Sequence, residues 1–90
     1  SRNSNLNKKQ KKVASYIFNY LTKLKKKIKK NYNLFNINII KKDLINLGAS
    51  KVDYLENYNI ESFKKIKKPN KKFNLFFAYY INNTRLIDNI

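Results

Sequence analysis

The sequence predicts a two-layer α+β domain, in which two main helices pack on a small antiparallel sheet that ends in a β-hairpin. Three observations lead to this prediction. Apolar residues recur at helical spacing in the first half of the chain, strand-forming residues dominate the second half, and an Asn-Asn pair separates the last two apolar runs. Helices and strands segregated along the chain in this way are typical of the α+β class. Because 90 residues provide one modest core, residues 1–90 are expected to form a single domain.

The first predicted helix begins after Asn7, a residue type that caps helices, and covers about 21 residues. Its apolar residues follow one another at spacings of four, four, three and four, which places them on one stripe: Val13, Ile17, Leu21, Leu24 and Ile28. Lysines occupy the opposite face, which is therefore expected to face solvent. Residues 31–36 break the pattern and predict a loop, whose Tyr32, Leu34 and Phe35 are expected to fold back onto the core.

A second helix is predicted from Asn36 or Asn38, either of which can cap it, to the residue before Gly48. Gly48 is the only glycine in the chain, and it stands where a residue with positive φ commonly ends a helix. The apolar face of this helix is expected to consist of Ile37, Ile40, Leu44 and Leu47.

A strand is predicted from Lys51 to Tyr58, because the segment is rich in aromatic and β-branched residues. Strict alternation divides its side chains between two faces, one with Val52, Tyr54, Glu56 and Tyr58, the other with Asp53, Leu55 and Asn57. Residues 60–66 carry apolar side chains at helical spacing, which predicts one or two helical turns. The basic stretch 67–72, which contains Pro69, is expected to be a loop.

The last two strands are predicted to form a hairpin, from Phe73 to Ile81 and from Thr84 to Asp88. Asn82 and Asn83 separate them, and asparagine tolerates the positive φ angles that a type I′ turn requires.

Composition limits the chemistry that this chain can perform. It contains no cysteine and no histidine, so thiolate sites and the commonest general base must come from elsewhere. No apolar run approaches the roughly 20 residues that span a bilayer, and the first residues do not have the pattern of a signal peptide. A cytoplasmic location without membrane partners is therefore expected.

The net charge of +16 raises the alternative of a small lysine-rich nucleic-acid-binding module. Lysine outnumbers arginine by 19 to 2, however, and the lysines are scattered over helices and loops. Lys, Asn, Ile and Tyr together account for 53 of 90 residues, a bias that AT-rich codons produce without selection for binding. Specific nucleic-acid sites favour arginine, so no specific nucleic-acid partner is expected. A membrane-surface helix over residues 8–30 is a third alternative, which the aromatic second half of the chain disfavours.

Three short strings carry a resemblance to a known family. They are Ser-Arg-Asn at residues 1–3 followed by a leucine and a helix, Val-Asp-Tyr-Leu-Glu at residues 52–56, and Thr-Arg-Leu-Ile-Asp-Asn at residues 84–89. In this order and separation they resemble the C-terminal domain of the pantothenate synthetases. The chain departs from that family's pattern at Asn5, at the Asn-Lys-Lys-Gln start of the first helix and at Asn82, which suggests slightly lower stability or weaker loop closure.

The resemblance implies a parent ligase that condenses pantoate with β-alanine at the expense of ATP, through a pantoyl-adenylate, and releases AMP and pyrophosphate. It implies that ATP and Mg²⁺ are used by the full enzyme, a homodimer whose N-terminal nucleotide-binding domain is absent from this sequence. The present chain would be a lid over that domain, binding no cofactor alone. Because a lid alone cannot align three substrates, the isolated domain is expected to be inactive.

The same resemblance implies the site residues. Ser1 and Arg2 match the segment that closes on the ATP phosphates, with Arg2 as the catalytic residue, and Asn3 is expected to orient that segment. Arg85 and Asp88 are expected to be structural, as an ion pair or as polar edge residues.

Two further sets of residues have the chemistry of a site. Asp53 and Glu56 are expected to lie on opposite faces of their strand, which disfavours a paired-carboxylate site. Five aromatic residues have the chemistry to stack on bases, but core packing is expected for them: Tyr54, Tyr58, Phe73, Phe76 and Phe77.

Overall fold

The computed structural model describes residues 6–31, 35–59 and 73–90. The elements in chain order are α1 (Lys8–Lys30), α2 (Ile37–Leu47), β1 (Lys51–Asn59), β2 (Phe73–Ile81) and β3 (Thr84–Asn89). The strands form one antiparallel sheet in the order β1-β2-β3, with both helices packed against it, so the predicted α+β class is confirmed. The short helix predicted at residues 60–66, the basic loop at residues 67–72, and Tyr32 and Leu34 lie outside the described residues.

Helix α1 begins at a capping box, which confirms Asn7 as its N-cap. The Asn7 side-chain oxygen accepts the Gln10 backbone N–H at 2.9 Å, and the Gln10 side-chain oxygen accepts the Asn7 backbone N–H at 3.0 Å. This reciprocal pair satisfies two of the backbone donors that a helix start leaves unpaired. The Asn-Lys-Lys-Gln start therefore caps the helix, although it departs from the pattern of the family that the sequence resembles, and α1 extends over 23 residues.

Helix α2 begins and ends at the predicted residues. Asn36 accepts the Ile39 backbone N–H at 3.2 Å, and Gly48 ends the helix with a φ of 125°. A Cβ atom at Gly48 would lie 2.9 Å from both terminal carbons of Val13, so the glycine also permits the close approach of α1. The predicted apolar face is wrong at its first residue, because Ile37 at the helix start is 38% exposed and lies outside the core.

The core lies between the helices and one face of the sheet. Alternate residues of β2 supply that face and are at most 4% exposed: Phe73, Leu75, Phe77, Tyr79 and Ile81. Ile17 and Leu21 of α1 and Leu44 of α2 join the main cluster, and Phe35 packs against it as predicted. A fully buried side chain of this size contributes about 1.5–3 kcal/mol by leaving water, so these contacts hold the two layers together.

A β-bulge at Asp53 interrupts the alternation of β1. Val52 pairs with Tyr79 and Tyr54 pairs with Ala78, and these two partners are consecutive in β2. Asp53 is therefore an extra residue of β1 that has no register partner in β2. Val52 therefore lies on the core face together with Leu55, whereas strict alternation had predicted it on the face of Tyr54. One inserted residue is enough to exchange the faces, since side chains alternate with a period of two.

The hairpin between β2 and β3 has the predicted strands and a two-residue turn, but the predicted turn type is wrong. Asn82 has a φ of 55°, whereas Asn83 does not have the positive φ that a type I′ turn also requires. The Asn82 backbone N–H donates to the Ser50 hydroxyl at 2.9 Å, so a contact from the segment before β1 helps to hold the turn.

Candidate functional site

The predicted phosphate-binding residues Ser1 and Arg2, and Asn3 with them, lie outside the described residues. The described chain starts at Leu6, which is 6% exposed and belongs to the main core cluster. Asn7 follows it in the capping box. Leu6 thus joins the start of α1 to the core, and the capping box fixes the first turn of the helix, directly after the predicted site segment.

A surface cleft lies beside the first half of α1, between this helix and strands β2 and β3. Its volume is about 520 Å³, within the roughly 300–1,000 Å³ typical of small-molecule sites. Buried side chains of the sheet form its floor and more polar side chains form its rim; the lining residues are Lys11, Ala14, Ser15, Phe18, Phe77, Tyr79, Leu86 and Asp88. The cleft combines an apolar floor with one cation and one anion at its edge.

Tyr79 gives the cleft floor a polar atom. Burial raises the pKa of its phenol to about 12, with a smaller contribution from the negative charge of Asp88. The hydroxyl therefore stays protonated at neutral pH and can donate a hydrogen bond. Its ring stacks on Phe77 with the centroids 6.1 Å apart, which holds the phenol in place.

Sequence reasoning missed this cleft, because its floor and its wall come from distant parts of the chain. The only signal is local: Ala14 and Phe18 are four residues apart, beside the apolar stripe of α1, and Lys11 precedes them by one turn. That spacing predicts a shared helix face. It does not reveal that residues of β2 and β3 face it across the cleft.

Arg85 makes a structural ion pair, as one of the two expected roles, but its partner is Asp53 and not Asp88. Its Nε and Nη2 atoms donate to the same oxygen of Asp53, at 3.0 and 2.7 Å. The pair connects β3 to the bulge of β1 across β2. Asp88 instead lies at the rim of the cleft.

The prediction that Asp53 and Glu56 lie on opposite faces is wrong. The bulge brings the Asp53 carboxylate to Arg85, which pairs with Tyr80 on the side of the sheet away from the helices, and Glu56 pairs with Phe76 on that same side. A paired-carboxylate site is still disfavoured, because Asp53 binds Arg85 while Glu56 accepts a hydrogen bond from the Tyr58 hydroxyl. Within residues 6–31, 35–59 and 73–90, no three carboxylates form a metal-binding group.

The five aromatic residues divide between the two faces of the sheet. Phe73 and Phe77 are buried in the core as predicted, whereas Tyr54, Tyr58 and Phe76 lie on the opposite face and are only partly buried. Tyr58 and Phe76 contact each other edge to face, with their centroids 5.6 Å apart. The prediction of core packing is therefore wrong for these three.

Two polar contacts between elements also escaped sequence reasoning. The Tyr20 hydroxyl donates to Asp43 at 2.7 Å and connects α1 to α2; burial, then this hydrogen bond, raise the Tyr20 pKa. Lys25 donates to Asn74 at 3.2 Å and lies 5.7 Å from the centre of the Phe73 ring. Burial lowers the Lys25 pKa. Both contacts join secondary-structure elements, which explains them without a catalytic role.

Together these features define a small, strongly basic α+β domain with a cleft beside the start of its first helix. None of the helices in the described part of the chain is both long enough and apolar enough to cross a membrane.

Comparison with known proteins identifies the family. A family model described as Pantoate-beta-alanine ligase matches residues 1–90, and the chain belongs to this family. It is 33% identical over 94 residues to a pantothenate synthetase of Caldicellulosiruptor saccharolyticus, an alignment that covers all of this chain and 33% of that relative. It is 32% identical over 91 residues to a pantothenate synthetase of Clostridium botulinum, covering 99% of this chain and 32% of that relative. The chain thus spans about a third of the length of the curated relatives it matches.

Proposed function

We propose that this chain is the C-terminal lid domain of a pantothenate synthetase. The observation that carries the proposal is that a ligase family model matches the whole chain, while the chain covers only a third of the related enzymes. The parent enzyme would condense pantoate with β-alanine through a pantoyl-adenylate, consuming ATP and releasing AMP and pyrophosphate. The proposal includes a cytoplasmic, homodimeric parent enzyme and an inactive isolated domain, as the sequence resemblance implies.

Arg2 is proposed to stabilise the phosphates of ATP during formation of the adenylate. Negative charge builds up on the α-phosphate and on the departing pyrophosphate, and a guanidinium group offers several donors in a fixed geometry. Ser1 would donate its hydroxyl to the same phosphates. Mg²⁺, when bound with the nucleotide, would neutralise part of this charge, and the described residues give it no ligand cluster of their own.

The described structure supports this role through position and charge. Arg2 precedes Asn7 by five residues, and an extended chain of five residues spans at most about 18 Å. Arg2 is therefore confined to within about that distance of the start of α1. The first turns of α1 add exposed lysines beside this segment, among them Lys8, Lys9 and Lys11. Their positive potential would attract an anionic nucleotide toward the lid.

The test compares two cationic residues of the chain in the full-length enzyme. Arg2→Ala should reduce pantoate-dependent exchange of pyrophosphate into ATP by about a hundredfold or more, as the loss of one transition-state donor does. Lys42→Ala is the control, because Lys42 is an exposed cation of α2 that lines neither the cleft nor the open face of the sheet, and it should leave the exchange rate within about twofold. Near-normal exchange in the Arg2 variant, or equal losses in both variants, would refute the assigned role.

A further inference from the structure

The sheet has a second face that the proposed function does not use. It consists of Tyr54, Tyr58, Phe76, Tyr80 and Ile87, which we call the aromatic face. The register pairs Tyr54 and Ile87 on either side of Ala78, so side chains from all three strands form one surface. The alternate residues of β2 point to the helices, which places the aromatic face on the opposite side of the sheet.

The aromatic face exposes more apolar surface than an open sheet face normally does, although Lys51, Glu56 and Arg85 lie on the same side of the sheet. An antiparallel sheet that is packed on one side only commonly shows polar residues on its other side. Here Ile87 is 46% exposed, and the four rings are partly exposed. Neither α1 nor α2 covers them, since the buried residues of both helices belong to the core clusters on the other face.

The distribution of lysine distinguishes this face from the rest of the molecule. Helix α1 contains ten lysines among its 23 residues, whereas the three strands contain a single one, Lys51. Surfaces that dock on other proteins are depleted in lysine and enriched in tyrosine, phenylalanine and arginine. The aromatic face has this composition apart from Lys51, which pairs with Tyr80 and whose Nζ lies 6.0 Å from the centre of the Tyr80 ring, and Arg85 lies at its edge.

We propose that the aromatic face docks on the remaining polypeptide of the ligase, the two thirds of the relatives' length that this chain does not match. The choice of partner rests on the proposed function, and the surface itself rests on its composition. A polypeptide in the same chain is present at high effective concentration, so even a modest interface is occupied. A second copy of this chain fits less well, because each copy has a net charge of +16 and the two would repel each other.

A groove on the aromatic face indicates what the partner presents. It has a volume of about 360 Å³ and is lined by Tyr54, Glu56, Tyr58 and Phe76. Three of these four side chains are aromatic, and the Tyr58 hydroxyl is held by Glu56. The groove therefore suits an apolar side chain of the partner.

Hydroxyl-radical footprinting tests this proposal on the 90-residue chain and on the intact ligase. Labelling of Tyr54, Tyr58 and Ile87 should be about fivefold or more slower in the intact ligase, because the centre of a docked interface excludes water. Ile45 on α2 is the internal control: it is 44% exposed, much like Ile87, and its labelling should not change. Equal labelling of the aromatic face in both forms would overturn the proposal.

A matched pair of variants in the intact ligase sharpens the test. Ile87→Lys should return the labelling of Tyr54 and Tyr58 to within about twofold of the isolated chain, because a charge cannot be buried in an apolar interface without a partner. Ile45→Lys should leave it slow. Unchanged protection in a folded Ile87→Lys enzyme, or equal effects of both variants, would contradict the proposal; the wild-type comparison decides the matter if Ile87→Lys fails to fold.

Other occupants give different results, each of which overturns the proposal. Protection that depends on the concentration of the isolated chain would assign the face to a second copy. Slow labelling of the isolated chain at all concentrations would assign it to another part of the 90 residues. Protection only with single-stranded RNA at about 150 mM salt would assign it to nucleic acid. The exchange assay of Arg2→Ala is independent of all these results, so failure of the phosphate role and failure of the docking surface can be told apart.

Discussion

Phe76 and Phe77 are neighbours in β2, yet they have different environments. Phe77 is 2% exposed and lies under the helices, in the main core cluster. Phe76 is partly exposed on the aromatic face, where it meets the edge of Tyr58. The residue type is the same and the backbone is continuous, so the difference comes only from which face of the sheet the helices cover.

The two faces also perturb tyrosines for different reasons. On the helix side, burial is the main cause that raises the pKa of Tyr79 to about 12. On the aromatic face, the pKa of Tyr58 is raised chiefly by its hydrogen bond to Glu56. On the helix side the exclusion of water raises the tyrosine pKa, whereas on the aromatic face a local hydrogen bond raises it. The sheet therefore has a buried side under the helices, which stabilises the fold, and a partly exposed side, the aromatic face, which is suited to contacts with another surface.

Truncation of the two phenylalanines should show the largest difference between the faces. Phe77→Ala should lower the free energy of unfolding by about 3–5 kcal/mol, because it removes a fully buried ring and leaves a cavity. Phe76→Ala should cost about 1–2 kcal/mol, since its ring is only partly withdrawn from water and solvent can refill the space. Urea denaturation of the 90-residue chain followed by circular dichroism measures both values. Equal losses would mean that the two faces are equally important for stability.

Alkaline pH should lower the free energy of unfolding through the ionisation of Tyr79, which lies on the buried side of the sheet. A phenol whose pKa is about 12 when folded and about 10 when unfolded stabilises the fold fully below pH 10 and loses this contribution as the pH rises toward 12. The loss should reach up to about 2 kcal/mol, because the unfolded chain releases this proton first. Urea denaturation at several pH values between 9 and 12 measures it.

The control for this prediction is Tyr79→Phe, which removes the titrating group and keeps the ring. Lysines also lose charge in this pH range, so the informative quantity is the difference in stability between the wild type and the variant. The stability of the variant relative to that of the wild type should increase as the pH rises. A difference that does not change with pH would mean that the Tyr79 hydroxyl is not protected by the folded structure.

The smallest effect is expected for the ion pair on the side of the aromatic face. Asp53→Asn removes the charge that Arg85 binds, but the two side chains are 38% and 40% exposed, so water replaces much of the lost contact. The free energy of unfolding should fall by less than about 1 kcal/mol, and the loss should shrink further in 1 M salt. A loss as large as that of Phe77→Ala would show that the bulge depends on this pair.

Much of the fold follows from local sequence. The capping residue Asn7, the cap of α2 at Asn36 and the glycine that ends α2 are each readable from residue type and spacing. The strands of the hairpin follow from their apolar runs. These features are local because their hydrogen bonds and φ angles involve residues only a few positions apart.

Other features depend on distant residues and could not be read in advance. The bulge at Asp53 appears only when β1 is aligned with β2, and it reverses which residues share a face. The turn after β2 is held in part by Ser50, 32 residues away from Asn82. The same distinction applies to the candidate sites. A short sequence string predicts Ser1 and Arg2, whereas the cleft beside α1 forms only where β2 and β3 approach the helix.

By itself, the sequence determined the class of the fold, the ends of its helices, the strands of the hairpin and membership of the ligase family, because periodicity, caps and strings are properties of short segments. Only the tertiary structure decided which side of the sheet became the core, where the cleft opened, and that Arg85 would bind Asp53. These outcomes depend on which surfaces meet. A side chain's burial and charge partners are set by residues that are far away along the chain, and no local pattern specifies them.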